Sequence, residues 1–230
     1  MLATKGMRFP IDVILVCIRW YAAYPLSYRH LKEMMEERSV FVDHSSINRW
    51  AIRFLPLLEK VFPKHKRQVG GSWRMYETYI KVKGIWKYLY RAVDKEGKTV
   101  DFLLTAKRDK AAAMRFFDKA MNASGVPEKV TMDKSGANKA AMDEINARGE
   151  TPIIVRQVKY LNNIVEQDHR AVKRVTKPML SFKSFRSAKN VLAGIELMHM
   201  IRKGQLLLEG CIELSFADQF YAWGLGSNGT

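Results

Sequence analysis

The apolar positions near the N-terminus recur at helical spacing. Ile11, Ile14, Leu15, Ile18 and Ala22 would share one face, Pro10 suits a first helical turn and Pro25 stops the run, so a helix is predicted over 10–24. A second is predicted from Ser27 to Arg38, with Leu31, Met34 and Met35 apolar. After a short turn, Asp43 can cap a third helix running to about Leu55, where Pro56 is expected to end it. On that helix Ile47, Trp50, Ala51 and Phe54 form an inward stripe, leaving His44, Ser45, Asn48, Arg49 and Arg53 outward. Residues 57–72, with Lys60, Lys64, Lys66, Arg67 and then Gly70-Gly71, are expected to form a basic connector at a domain boundary.

Beyond Ser72 the period changes. Strands rich in β-branched and aromatic residues are predicted over 74–82, 86–93 and 99–105, separated by turns at Lys83-Gly84 and around Gly97. There follow a helix (110–122), a short strand (129–132), a helix (138–147), a strand (152–157) and helices over 162–176 and 184–202. The stripe Leu192, Ile195, Met198 and Ile201 reads as core or as a dimer surface. Trp73, Trp86, Tyr88 and Tyr90 read as core or sheet residues.

Helix, short turn, then a helix with a polar outer face is the helix-turn-helix pattern, whose second helix can enter a DNA major groove. Asn48 and Arg49 are suited to reading adenine and guanine edges, although any small three-helix bundle has the same periodicity. Three hairpin-linked strands followed by alternating helices and strands is the element order of a ribonuclease-H-like fold. The expected class is therefore α/β: a mixed sheet flanked by helices, preceded by an all-α helix-turn-helix. The expected domains are 1–70, DNA-binding with a basic linker; 71–205, catalytic; and 206–230, a loosely held tail.

Charge sharpens this picture. Lys and Arg total 39 against 23 acidic residues, a formal charge of +16, and the pI is near 9.9. Such a surplus favours polyanions, nucleic acid first and an anionic membrane surface second. Residues 169–203 hold nine basic residues and the single acid Glu196. Nothing approaches the roughly 18 apolar residues that span a bilayer, so no membrane association is expected. Cys17 and Cys211 lack metal-ligand spacing and read as free thiols of a cytoplasmic protein.

Two acids stand out. Asp133 ends an apolar strand, and Glu166 precedes Arg170, Lys173 and Lys177 on one helix face, with Arg174 beside them. Carboxylates at a strand end and on a helix can share a hard cation, and cations beyond them can grip a DNA backbone; phosphoryl transfer on DNA needs both. On the residues alone, Asp133 as a turn residue and Glu166 as an ordinary partner of Arg170 remain equally open. His169 reads as structural, although it stands close enough to Glu166 to approach a site there.

Several stretches are similar to transposases of insertion sequence family six: "WRMYETYIKVKGIWKYLYRAVDKEGKTVDF" from Trp73, "TMDKSGAN" from Thr131, "RQVKYLNNIVEQDHRAVKR" from Arg156 and "FKSFRSAKNVLAGIELMHMIRKGQ" from Phe182. The resemblance covers about residues 8–205. It implies a DDE transposase in which Asp133 and Glu166 are the second and third catalytic acids and bind Mg²⁺ or Mn²⁺. It also implies double-stranded DNA partners, namely terminal inverted repeats and target DNA, and self-association. The position of the first aspartate, immediately before Glu-Thr-Tyr, is Tyr76. A phenol is neutral near pH 7, with an ordinary pKa of roughly 10, and is a poor Mg²⁺ ligand. Glu77 should point to the opposite face. Asp94 reads as a turn residue. The alternative activity is that of a catalytically silent DNA-binding subunit able to poison an active multimer.

Overall fold

The computed structural model describes residues 8–61, 66–149, 151–158, 163–206 and 214–225. The chain divides into two compact units. One is built from both ends of the sequence, Met1–Arg67 with Val172–Thr230, and the other is Gln68–Ala171.

In the first unit, α1 (Ile11–Ala23) starts after Pro10 and is apolar almost all round, with Ile14, Leu15, Cys17, Ile18, Tyr21 and Ala22 buried. Burial pushes the Cys17 thiol up to about 12, so it stays protonated at neutral pH. Cys211 lies outside the described residues. α2 (Tyr28–Glu36) opens on a capping box: Ser27 Oγ accepts from the His30 amide at 3.1 Å, and the Ser27 amide donates to His30 Nδ1 at 3.3 Å.

α3 (His44–Val61) corrects the expected stop at Pro56, because the proline lies inside the helix. Proline has no amide to donate to the carbonyl four residues back, Ile52. That carbonyl instead accepts from Asn190 Nδ2 at 3.1 Å. The first residues assigned to a connector, 57–61, are therefore helical.

Asn190 belongs to α7 (Phe185–Arg202), capped by Ser184 and packed against α1 and α3. The stripe Leu192, Ile195, Met198 and Ile201 is buried, as its spacing suggests. Gly194 lets α7 approach α3 closely, since a Cβ there would stand 2.5 Å from Leu55 Cδ2. Residues 206–230, expected as a loose tail, contain α8 (Phe216–Leu225), which packs against α1 and α7. Phe220 is fully buried there, and the Arg19 guanidinium donates to Tyr221 Oη at 2.9 Å.

The second unit is a five-stranded mixed sheet of order β3-β2-β1-β4-β5, formed by β1 (Ser72–Val82), β2 (Ile85–Asp94), β3 (Thr99–Thr105), β4 (Lys129–Met132) and β5 (Ile154–Gln157). β1–β3 are antiparallel, and β4 and β5 add in parallel beside β1. The turn Lys83-Gly84 has positive φ at both residues, as a tight two-residue hairpin needs. Asp94 is the expected turn residue: one carboxylate oxygen accepts from the Glu96 and Lys98 amides at 2.9 Å, the other from Gly70 at 3.0 Å.

α4 (Lys110–Ser124) and α5 (Gly136–Arg148) build a core with one face of the sheet, in which Trp73, Met75, Tyr90, Val130 and Met132 meet Phe116, Phe117 and Met142. Trp86 is a sheet residue, 56% exposed. α6 (Asn163–Thr176) follows β5. The whole is the expected ribonuclease-H-like arrangement, preceded by helices.

Candidate active site

Alternation along β1 sorts its polar residues. Met75 joins the core with α4 and α5, so Glu77 shares that face and Tyr76 takes the other. The register through this stretch is regular, Tyr76 opposite Arg91 and Glu77 opposite Tyr90, so no bulge turns Glu77 round.

On the α5 face, Glu77 accepts from Asn138 Nδ2 at 2.6 Å and is ion-paired to Arg108. Asp133, immediately after β4, is drawn into the same group. Its Oδ2 lies 3.3 Å from Arg108, while its Oδ1 accepts from Asn138 at 3.4 Å and from the Ser135 amide at 3.2 Å. Two carboxylates thus share one guanidinium and one amide. Burial pushes the Glu77 carboxyl above the usual carboxylate range, the nearby Asp133 charge adds to this, and Asn138 and Arg108 oppose it.

On the other face, the Tyr76 phenol is 3% exposed and donates to the Asp168 carboxylate of α6. Arg91, fully buried on β2, donates both to the phenol oxygen and to Asp168. The ion pair Arg91–Asp168 is therefore closed off from water, with Tyr76 as its third member.

Of the three expected catalytic positions, Tyr76 and Asp133 thus stand in different polar groups. Glu166 lies on α6 two residues before Asp168, and its side chain, like that of His169, is outside the described residues. Sequence reasoning missed Arg91 and Asp168. The signals were a cation between the apolar and aromatic residues Tyr88 to Val93 of β2 and a second acid just after Glu166. It also missed Arg108 and Asn138, which no local pattern marks.

The expected DNA-contacting residues are on solvent-facing surfaces. His44, Ser45, Arg49 and Arg53 of α3 are exposed and Asn48 is half-buried, while Arg170, Lys173, Arg174 and Lys177 are exposed on or just beyond α6. The buried face of α6 runs through Asp168, Val172 and Val175.

A mixed sheet in this strand order, with acids at the end of β4 and on the helix after β5, defines a ribonuclease-H-like domain. A family model described as the DDE domain matches residues 70–205. The transposase for insertion sequence-like element IS431mec of Staphylococcus aureus is 41% identical over 198 residues, covering 85% of this chain and 87% of the relative. The transposase for insertion sequence element IS257 in transposon Tn4003, also from Staphylococcus aureus, is 40% identical over the same share of both chains. The chain belongs to the DDE-domain transposases. Among solved structures, the HTLV-2 integrase catalytic core domain in complex with magnesium (dimeric form) is similar at 13% identity and a TM-score of 0.41, over 58% of this chain and 88% of that one.

A DDE domain implies a divalent metal ion. The described donors do not fit one at Tyr76, because the position is filled by a buried phenol that donates to Asp168 and has a guanidinium against its oxygen. Asp133 offers a half-buried carboxylate that is already engaged by Arg108. Among the described residues no three His, Cys, Asp or Glu side chains converge to hold a metal, and no helix is long and apolar enough to cross a membrane.

Proposed function

We propose that this protein is a transposase subunit that binds the terminal inverted repeats of an insertion sequence, and that its metal-dependent strand cleavage and transfer is impaired because Tyr76 stands where the DDE triad has its first aspartate. The observation that carries the impairment is the enclosure of the Tyr76 phenol by Asp168 and Arg91. An anionic ligand is needed there for two metal ions to activate one oxygen and stabilise the leaving one. A phenol held between a carboxylate and a guanidinium supplies none. Asp133 and Glu166 are the remaining acids of the proposed triad. His44, Ser45, Asn48, Arg49 and Arg53 of α3 are the proposed reading surface for DNA. Arg170, Lys173, Arg174 and Lys177 are proposed to grip its backbone.

The relatives' names support the transposase reading: both are transposases for insertion sequence elements. In the limit, the protein is a silent DNA-binding subunit, a reading favoured by the buried Arg91 cation beside the proposed metal position.

A strand-cleavage and joining assay on inverted-repeat DNA, run with Mg²⁺ and with Mn²⁺, compares the protein with Tyr76→Asp and Tyr76→Phe. Activity is expected only in Tyr76→Asp, at least about 10²-fold above the other two if the missing ligand contributes several kcal/mol. Full activity of the unsubstituted protein would overturn the impairment. Loss of that activity in Tyr76→Phe would make the phenol itself chemical.

A further inference from the structure

Between α3 and α7 the first unit carries an open groove of about 510 Å³. Its lining joins three apolar residues, Ile52, Pro56 and Leu57, to four cations, Arg49, Arg53 and Lys60 from α3 and Arg186 from α7. Among the described residues no acid lines it, and none of these four cations is ion-paired to a carboxylate. Folding alone does not call for this arrangement, since four like charges around one concavity repel each other. The groove is also held in shape. Asn190 bonds the Ile52 carbonyl across it at 3.1 Å, and the Gly194–Leu55 approach closes the helices deeper in. The order of the two contacts, Asn190 to Ile52 and Gly194 to Leu55, shows that the two helices run the same way, so the positive ends of both lie on one side.

We infer that this groove binds one sugar-phosphate strand of duplex DNA, with phosphates on Lys60 and Arg186, deoxyribose against Ile52, Pro56 and Leu57, and Arg49 and Arg53 kept for the reading surface of α3. An alternation of anionic and apolar groups along a strand fits the alternation of cations and apolar residues along the α3 side of the lining. The inference rests on the DNA-binding reading above and extends it. It adds α7, which sequence order places after the catalytic elements, to the surface that α3 presents, and it makes Arg186 and Lys60 backbone-binding residues that carry no base preference.

The test measures binding of the full chain to a mixed-sequence DNA duplex across a series of salt concentrations, for the unsubstituted protein, Arg186→Glu, Lys60→Glu and the charge-matched control Lys95→Glu in the exposed β2–β3 turn. Circular dichroism melting confirms that each is folded. The groove variants are expected to bind about tenfold more weakly, with the slope of log affinity against log salt shallower by about 0.9 for each phosphate no longer neutralised, while Lys95→Glu changes little. Groove variants no weaker than Lys95→Glu would overturn the groove and leave DNA binding standing. If all three lose affinity alike, the effect is net charge and the groove is again overturned. If the unsubstituted protein binds no duplex, the underlying DNA-binding reading falls with it. A groove serving an acidic protein segment would leave duplex binding intact and lose poly-glutamate binding in Arg186→Glu, which also sinks the inference.

Discussion

At the scale of single residues, the Arg91–Asp168–Tyr76 group carries the sharpest consequences. A buried ion pair contributes little net stability, but breaking it leaves a stranded charge. Arg91→Met, similar in volume, is therefore expected to destabilise the second unit by about 3–5 kcal/mol, read as a lowered urea midpoint. A loss below about 1 kcal/mol would show the pair to be reached by water, as surface pairs are. Glu77 gives a pH prediction. Its folded pKa is raised, mainly by burial, so the stability it contributes is present below the unfolded value of about 4.3 and is lost as pH rises through the folded value. The stability of the protein minus that of Glu77→Gln should therefore fall between acid and neutral pH. A rise over the same interval would mean that Arg108 outweighs burial.

At the scale of elements, most of the secondary structure was readable because period and punctuation agree. All three hairpin strands and α4 to α7 lie within a few residues of their expected limits, whereas α8 lies where a loose tail was expected. What was not readable depends on distant partners. Pro56 is a stop signal by local chemistry and is overridden because a side chain far along the sequence serves the carbonyl it leaves bare. The Tyr76 group joins β1, β2 and α6, and only the direct cross-strand pairing of Tyr76 with Arg91 follows from the hairpin. Alternation did place Glu77 away from Tyr76, but nothing local announced Asn138 and Arg108 as its neighbours. A double-mutant cycle tests the Pro56 account. Asn190→Ala should cost about 1–2 kcal/mol, the penalty for an unmet carbonyl, and much less when Pro56→Ala restores the helical amide. Equal costs in both backgrounds would show that Asn190 acts through packing.

At the scale of the whole molecule, the formal charge of +16 and the DDE-domain family agree on a polyanionic partner. If the working form contains several subunits, one that binds DNA without cutting it should interfere with those that cut. Adding the unsubstituted protein to a fixed amount of active Tyr76→Asp should lower joining more steeply than dilution of DNA-binding sites alone explains. A fall matching simple competition, reproduced by a DNA-binding protein unable to mix with it, would argue for subunits acting singly.

The division of the first unit between segments before and after the sheet unit has a further consequence during synthesis. A ribosome delivers α1, α2 and α3 early, yet the helix that covers α1 and α3 is α7, made after the entire sheet unit. Until α7 emerges, the buried faces of α1 and α3 lack their cover, and the nascent chain must carry them while β1–β5 form. The groove proposed for DNA does not exist in that interval, so a newly made chain becomes able to grip DNA in this way only once α7 has left the ribosome.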